Sequence, residues 1–438
     1  MDNFKHRENL SFYGILPVMK HLSHPLLPLL KQRSLLESMA REFGTPLYLY
    51  SGDRLKDNLR RMRRALKEAF PHGHICYAIK ANNNPHLIRF LKGADPALGA
   101  DCSSPGELWV AKQASLRPTE CIYTGNYESP EDLQAALAFG AVINLDDTTS
   151  FQRLQRIGLP ELISFRLNPG FGKGAFSQVV TGGREAKFGI PPKQIMKAYQ
   201  QAQKAGIKRF GLQCMSGSGI LDQAYFVTLL KAILETVQTL WRACQIQMEF
   251  ISIGGGFGIP YAPEEQPLDI RSLFQDLKQI YFPVFDKRRQ KPPTLWIEPG
   301  KYIVGDAGML LTRVTGIKKS YRTFIGLDAG METLMRPSLY QAYHRIVKVQ
   351  DPESPPTQTV DITGRICENT DRLAVERPFP EVTEGELIAV LDVGAYGFAM
   401  SHQFNTRPRA AEILLDGNQP HLIRKRETIE DIFSNCTI

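Results

Sequence analysis

The chain has 438 residues, 43% hydrophobic and 22% charged, a length that predicts two cores and a composition that excludes disordered and fibrous classes. Its net charge of +8 suits anionic ligands, but the basic residues are spread along the chain. The run Arg60-Arg61-Met62-Arg63-Arg64 reads as one solvated helix face, which argues against nucleic acid. Seven scattered cysteines without a CxxC pair, no apolar run of membrane-spanning length and no signal-peptide pattern predict a cytoplasmic protein with no disulfide framework, metal site or membrane partner.

In chain order, residues 1–45 read as an N-terminal segment that includes a short helix over Leu29–Met39 and packs on the C-terminal domain. Strand-like runs follow at Pro46–Tyr50, Ile75–Lys80, Leu98–Cys102, Cys121–Gly125, Val142–Asp146, Ile163–Asn168, Phe210–Met215 and Phe250–Gly254. Helical patterns over 53–69, 85–92, 105–115, 130–139, 148–156, 191–205, 222–243 and 269–280 alternate with them. This α/β texture predicts a parallel (β/α)8 TIM barrel over 46–300, with Leu295–Glu298 as a ninth strand leading out of it. A doubly wound sheet would want a Gly-rich turn after the first strand, and none is there. From residue 301 the strands Tyr302–Val304, Met309–Ile317, Thr323–Leu327, Thr359–Ile362, Leu387–Val390 and Ala411–Leu415 are separated by turns, which predicts a mainly-β domain over 301–438. Gln350–Pro356 reads as an exposed loop within it.

In such a barrel the chemistry gathers at the C-terminal strand ends. Lys80 ends the run His74-Ile75-Cys76-Tyr77-Ala78-Ile79-Lys80, where partial loss of water should lower its pKa. A neutral amine there can form a Schiff base with an aldehyde, and pyridoxal 5'-phosphate is the cofactor that suits such a lysine. The plainer reading is a strand-end lysine reaching solvent. Asp101, Asn168-Pro169-Gly170, Met215-Ser216-Gly217-Ser218-Gly219 and Gly254-Gly255-Gly256-Phe257-Gly258 would face the same mouth. The glycines allow backbone N–H groups to approach a phosphate, and Ser218 adds a hydroxyl. Glu298, in Glu298-Pro299-Gly300-Lys301, is placed to keep a pyridine nitrogen protonated, although a surface ion pair would use the same residue type.

Five motifs occur in order: Tyr77-Ala78-Ile79-Lys80-Ala81-Asn82, Gly254-Gly255-Gly256-Phe257, Glu298-Pro299-Gly300, Cys367-Glu368-Asn369-Thr370-Asp371 and Asp392-Val393-Gly394-Ala395-Tyr396-Gly397. From about residue 45 to 415 the chain resembles the alanine-racemase-fold, pyridoxal-phosphate-dependent decarboxylases of ornithine, diaminopimelate and arginine. Leu334-Met335-Arg336-Pro337-Ser338-Leu339-Tyr340 and Asn405-Thr406-Arg407-Pro408-Arg409 point to the diaminopimelate branch.

The resemblance implies a barrel plus a β-domain. It implies a homodimer with shared active sites, in which the Cys367-Glu368 motif enters from the partner subunit. It makes Lys80 the Schiff-base lysine, and Ser218, Gly255, Gly256, Glu298, Gly300, Lys301 and Tyr396 cofactor contacts. Lys301, Arg336, Tyr340, Glu368 and Tyr396 become substrate contacts, and Cys367 the proton donor at Cα. The implied reaction is decarboxylation of meso-2,6-diaminopimelate to L-lysine. The alternatives are another amino acid (ornithine, arginine, lysine or a secondary-pathway substrate) or a non-enzymatic cofactor-binding protein. Taken singly, Arg336 would be a surface arginine, Cys367 a buried small hydrophobe and Tyr396 a packed loop aromatic; their co-occurrence gives them weight. Three positions depart from the family pattern: Met215 replaces a histidine, Lys301 an arginine and Arg365 a proline, and these bear on the choice of substrate.

Overall fold

A computed structural model describes residues 23–287 and 289–437. The part of the N-terminal expectation that falls on residues 1–22 lies outside the described residues.

The strands are β1 (Leu47–Ser51), β2 (His74–Ala78), β3 (Gly99–Cys102), β4 (Ile122–Tyr123), β5 (Val142–Leu145), β6 (Leu162–Arg166), β7 (Arg209–Gln213), β8 (Met248–Ser252), β9 (Thr294–Ile297), β10 (Gly308–Lys319), β11 (Thr323–Leu327), β12 (Ile346–Lys348), β13 (Gln358–Thr363), β14 (Arg372–Phe379), β15 (Leu387–Leu391), β16 (Ala411–Asp416) and β17 (Gln419–Arg424). β2 to β9 form a closed parallel barrel, sealed where His74 and Ile75 of β2 pair with Trp296 and Ile297 of β9. The others form a nine-stranded sheet.

The predicted first strand is therefore not a barrel strand. β1 lies between β10, antiparallel to it, and β16, parallel to it, and the ninth run closes the barrel instead of leaving it. The reason is physical: Leu47, Tyr48, Leu49 and Tyr50 are buried on both faces, the same pattern as a barrel strand. Tyr302–Val304, predicted as a strand, belongs to the helical turn Lys301–Val304, where the amides of Ile303 and Val304 return to the Gly300 carbonyl.

The barrel helices begin where polar caps precede proline. Ser104 caps Pro105–Gln113, and Ser129 forms a capping box with Asp132 on Pro130–Phe139. The segment before β1 forms helices Leu27–Leu30 and Arg33–Glu42. Their residues Leu30, Leu36 and Met39 share a buried cluster with Leu47 and Leu49 of β1, Met309 of β10, Leu387 and Leu391 of β15 and Ile413 of β16. This segment therefore covers one face of the large sheet.

Candidate active site

The strand ends of the barrel and the β-domain's Tyr396 form a small cavity lined by Ala78, Lys80, Asp101, Met215, Ser218, Gly256, Phe257, Glu298, Gly300, Lys301 and Tyr396. Lys80 sits in a 3-10 turn, Ile79–Ala81, directly after β2. Its side chain keeps 39% of its surface, which faces this recess. The β-domain closes on the same turn, because the Tyr396 amide donates to the Ala81 carbonyl at 2.7 Å.

The electrostatics of Lys80 differ from the sequence expectation. Burial lowers its pKa, but Asp101, then Tyr396 and Glu107, raise it further, and the net direction is upward. Asp101, almost wholly buried on β3, receives a hydrogen bond and an ion pair from the Lys80 ammonium. Asp101 is the next-to-last residue of β3, and its place near a strand end is the signal that marks it in the sequence.

Glu298 is buried at the end of β9 with both oxygens engaged. Ser252 Oγ donates to Oε1 at 2.6 Å and Gln213 Nε2 to Oε2 at 2.9 Å. Burial, then Asp101, push its pKa up; Ser252, Lys80 and Gln213 oppose this. Sequence reading missed Gln213 and Ser252: they are the last residues of β7 and β8, but the longer predicted runs, Phe210–Met215 and Phe250–Gly254, placed both short of the strand end.

The glycine loops fold over one another. Gly256 has φ +90°, and a Cβ on it would stand 2.9 Å from the Gly217 carbonyl oxygen. A Cβ on Gly217 would overlap the Lys173 carbonyl oxygen at 1.5 Å. Lys301 points its Nζ to the same place, 3.1 Å from the position of a Cβ on Gly219. Lys301 is buried, over the rings of Tyr261 at 5.6 Å and Tyr396 at 5.8 Å. Burial, then Arg336, pull its pKa down to about 7. Met215 lines the cavity, its Sδ accepts from the Gly255 amide at 3.2 Å, and its carbonyl accepts from Arg166 at 3.1 Å.

The remaining predicted residues lie outside this lining. Arg336 is buried and stands over the Tyr261 ring, 4.4 Å from its centroid. Tyr340 stacks on Phe176 at 5.8 Å. Cys367 and Glu368 are exposed, and Glu368 lines a separate surface groove of the β-domain with Thr315, Asn369 and Glu384. Cys367 is clamped by Asn405, whose Oδ1 accepts from the Cys367 amide at 2.8 Å and whose Nδ2 donates to Sγ at 3.0 Å. Among the described residues no cluster of three or more His, Cys, Asp or Glu could hold a metal, and no helix is long and apolar enough to cross a membrane.

A family model described as "Pyridoxal-dependent decarboxylase, pyridoxal binding domain" matches residues 56–305. The chain is 39% identical over 395 residues to a diaminopimelate decarboxylase of Methanothermobacter thermautotrophicus, covering 90% of this chain and 92% of that one. It is 32% identical to Protein TabA of Pseudomonas amygdali pv. tabaci, with 95% of each chain covered. Among solved structures, the diaminopimelate decarboxylase from Helicobacter pylori complexed with L-lysine has a TM-score of 0.82 at 29% identity, covering 91% of this chain and 98% of that one. With the family match spanning more than half of the chain and the barrel–sheet architecture shared over nine-tenths of it, this chain belongs to the pyridoxal-dependent decarboxylases.

Proposed function

We propose that the chain removes one carboxylate of meso-2,6-diaminopimelate as carbon dioxide and leaves L-lysine, in a cytoplasmic homodimer whose subunits share each site. The observation that carries this reading is the buried guanidinium of Arg336, with the buried amine of Lys301 over the same aromatic ring beside the Lys80 cavity. Neither forms a salt bridge with a carboxylate among the described residues, so a substrate with a second carboxylate would supply the missing charge. The seven unpaired cysteines support a reducing compartment.

The residues present fit pyridoxal phosphate. Backbone at Gly256 lines the cavity and would meet a phosphate, to which Ser218 and Lys301 would add a hydroxyl and an amine. Gln213 Oε1 is a buried acceptor without a partner among the described residues. Lys80 would hold the cofactor, and Glu298, fixed by Ser252 and Gln213, would hold its ring nitrogen. When bound, the cofactor supplies an aldehyde for amine exchange and a protonated ring that withdraws electrons from Cα.

The protein's own groups do the rest. Asp101 accepts a hydrogen bond from the Lys80 ammonium and fixes that side chain at the cavity. Arg336 and Lys301 orient the substrate through its remote carboxylate. Glu368 receives the remote ammonium, and Cys367 delivers a proton to Cα, both from the partner subunit. Their exposure, and their absence from the lining of their own chain's cavity, support that arrangement. Carbon dioxide release should be measured with diaminopimelate, lysine, ornithine and arginine. Turnover of diaminopimelate at least roughly tenfold above the other three is expected, a discrimination that a buried charge contact can supply. Cofactor-loaded protein that leaves diaminopimelate untouched would refute the assignment.

A further inference from the structure

We propose that His344 is a positioning residue: a neutral acceptor that fixes Arg336 so that its guanidinium reads a carboxylate at the substrate end remote from Lys80. The inference rests on the proposed function in one respect, that Arg336 faces the substrate.

His344 is fully buried, and its Nε2 lies 2.8 Å from Arg336 Nη1. A guanidinium has only donors, so Nε2 must present its lone pair. Nδ1 lies 2.8 Å from the Leu391 carbonyl oxygen, which only accepts, so Nδ1 carries the proton. Two neighbours thus fix one neutral tautomer. Protonation would turn a donor toward a donor, and burial, then Arg336, hold the His344 pKa well below its ordinary value.

Tyr261 completes the holder. Its ring meets His344 edge-on at 5.3 Å and lies 4.4 Å from the Arg336 guanidinium carbon. Its buried hydroxyl has no hydrogen-bond partner among the described residues. Three other buried or half-buried arginines of this chain are held differently. Arg54 pairs with Asp306, Arg63 with Asp95 and Arg166 with Asp146. Those carboxylates cancel the charge inside the fold. An imidazole and a phenol ring fix the Arg336 geometry without cancelling its charge, which leaves the full attraction for a ligand carboxylate.

The test compares L-lysine with 1,5-diaminopentane, which differ by one carboxylate, as ligands of the cofactor-loaded enzyme measured by calorimetry. The wild type should prefer lysine by roughly tenfold or more. His344→Gln keeps a neutral oxygen acceptor and should hold that preference within about threefold. His344→Glu supplies an internal carboxylate for Arg336 and should erase the preference, with the cofactor absorbance unchanged in both variants. A general packing defect would weaken both ligands together and leave the ratio in place. Retention of the ratio in His344→Glu, equal loss in both variants, or no preference in the wild type would overturn the inference. If His344→Glu does not fold, His344→Leu replaces it, with a reduced ratio expected and an unchanged one decisive against. A wild type that prefers lysine, responds to these variants and yet releases no carbon dioxide from diaminopimelate would refute the substrate assignment and leave the role of His344 intact.

Discussion

Replacing Lys301 with methionine in the cofactor-free protein should remove a defined pH dependence of folding. The folded-state pKa of Lys301 lies near 7, against 10.5 for an ordinary lysine, because burial and then Arg336 disfavour the ammonium. Between these values the unfolded chain holds a proton that the folded chain does not, so this residue makes stability rise with pH. One proton corresponds to about 1.4 kcal/mol per pH unit, so the whole window amounts to about 5 kcal/mol. Urea unfolding of wild type and Lys301→Met at about pH 7.5 and about pH 9.5 should diverge by about 2–3 kcal/mol, the wild type gaining relative to the variant as pH rises. Pyridoxal phosphate should flatten the wild-type slope, because its phosphate keeps Lys301 charged in the folded state. Parallel pH profiles for the two proteins would refute the reasoning.

Lys80→Ala should lose both the visible-edge absorbance of the bound cofactor and carbon dioxide release; retained turnover would remove Lys80 from its role. Asp101→Asn deletes an upward pull on the Lys80 pKa, so the pH midpoint of cofactor capture by the cofactor-free protein, followed by absorbance, should move to lower pH. Glu298→Gln should retain the cofactor and lose roughly a hundredfold or more in carbon dioxide release, and near-normal rates would dismiss the ring-nitrogen contact. Equal mixtures of Lys80→Ala and Cys367→Ala chains, unfolded and refolded together, should regain roughly a quarter of wild-type activity if each site draws on two subunits. No recovery would place both residues in one chain's site.

Much of the barrel was legible because its helices carry both a period and a punctuation. Ser104-Pro105 and Ser129-Pro130 mark starts, and the predicted 53–69 and 130–139 are found as Gly52–Ala69 and Pro130–Phe139. Strand membership was not legible. Leu47–Ser51 and Thr294–Ile297 are both short apolar runs, and pairing partners, not period, decide which sheet each joins. At the site, Lys80, the glycines and Glu298 were readable from motifs. The effect of Asp101 was not: desolvation can be read from apolar neighbours in sequence, but an ion pair between two strands depends on register, here Ala78 opposite Asp101. His344 was unreadable for the same reason, since its tautomer is set by Leu391, 47 residues away.

The position of β1 has a consequence for how the chain matures during synthesis. β1 is made before any barrel strand, yet its two neighbours in the sheet, Gly308–Lys319 and Ala411–Asp416, are made after the whole barrel. A nascent chain must therefore carry the apolar run Leu47-Tyr48-Leu49-Tyr50 unpaired while about 250 further residues emerge, a period of tens of seconds at ordinary elongation rates. The two helices at Leu27–Leu30 and Arg33–Glu42 share a cluster with Leu47 and Leu49 and are already synthesised. Among the described residues they are the segment available to shield that run until its partners arrive, and a chain lacking them should aggregate during synthesis more than it loses stability once folded.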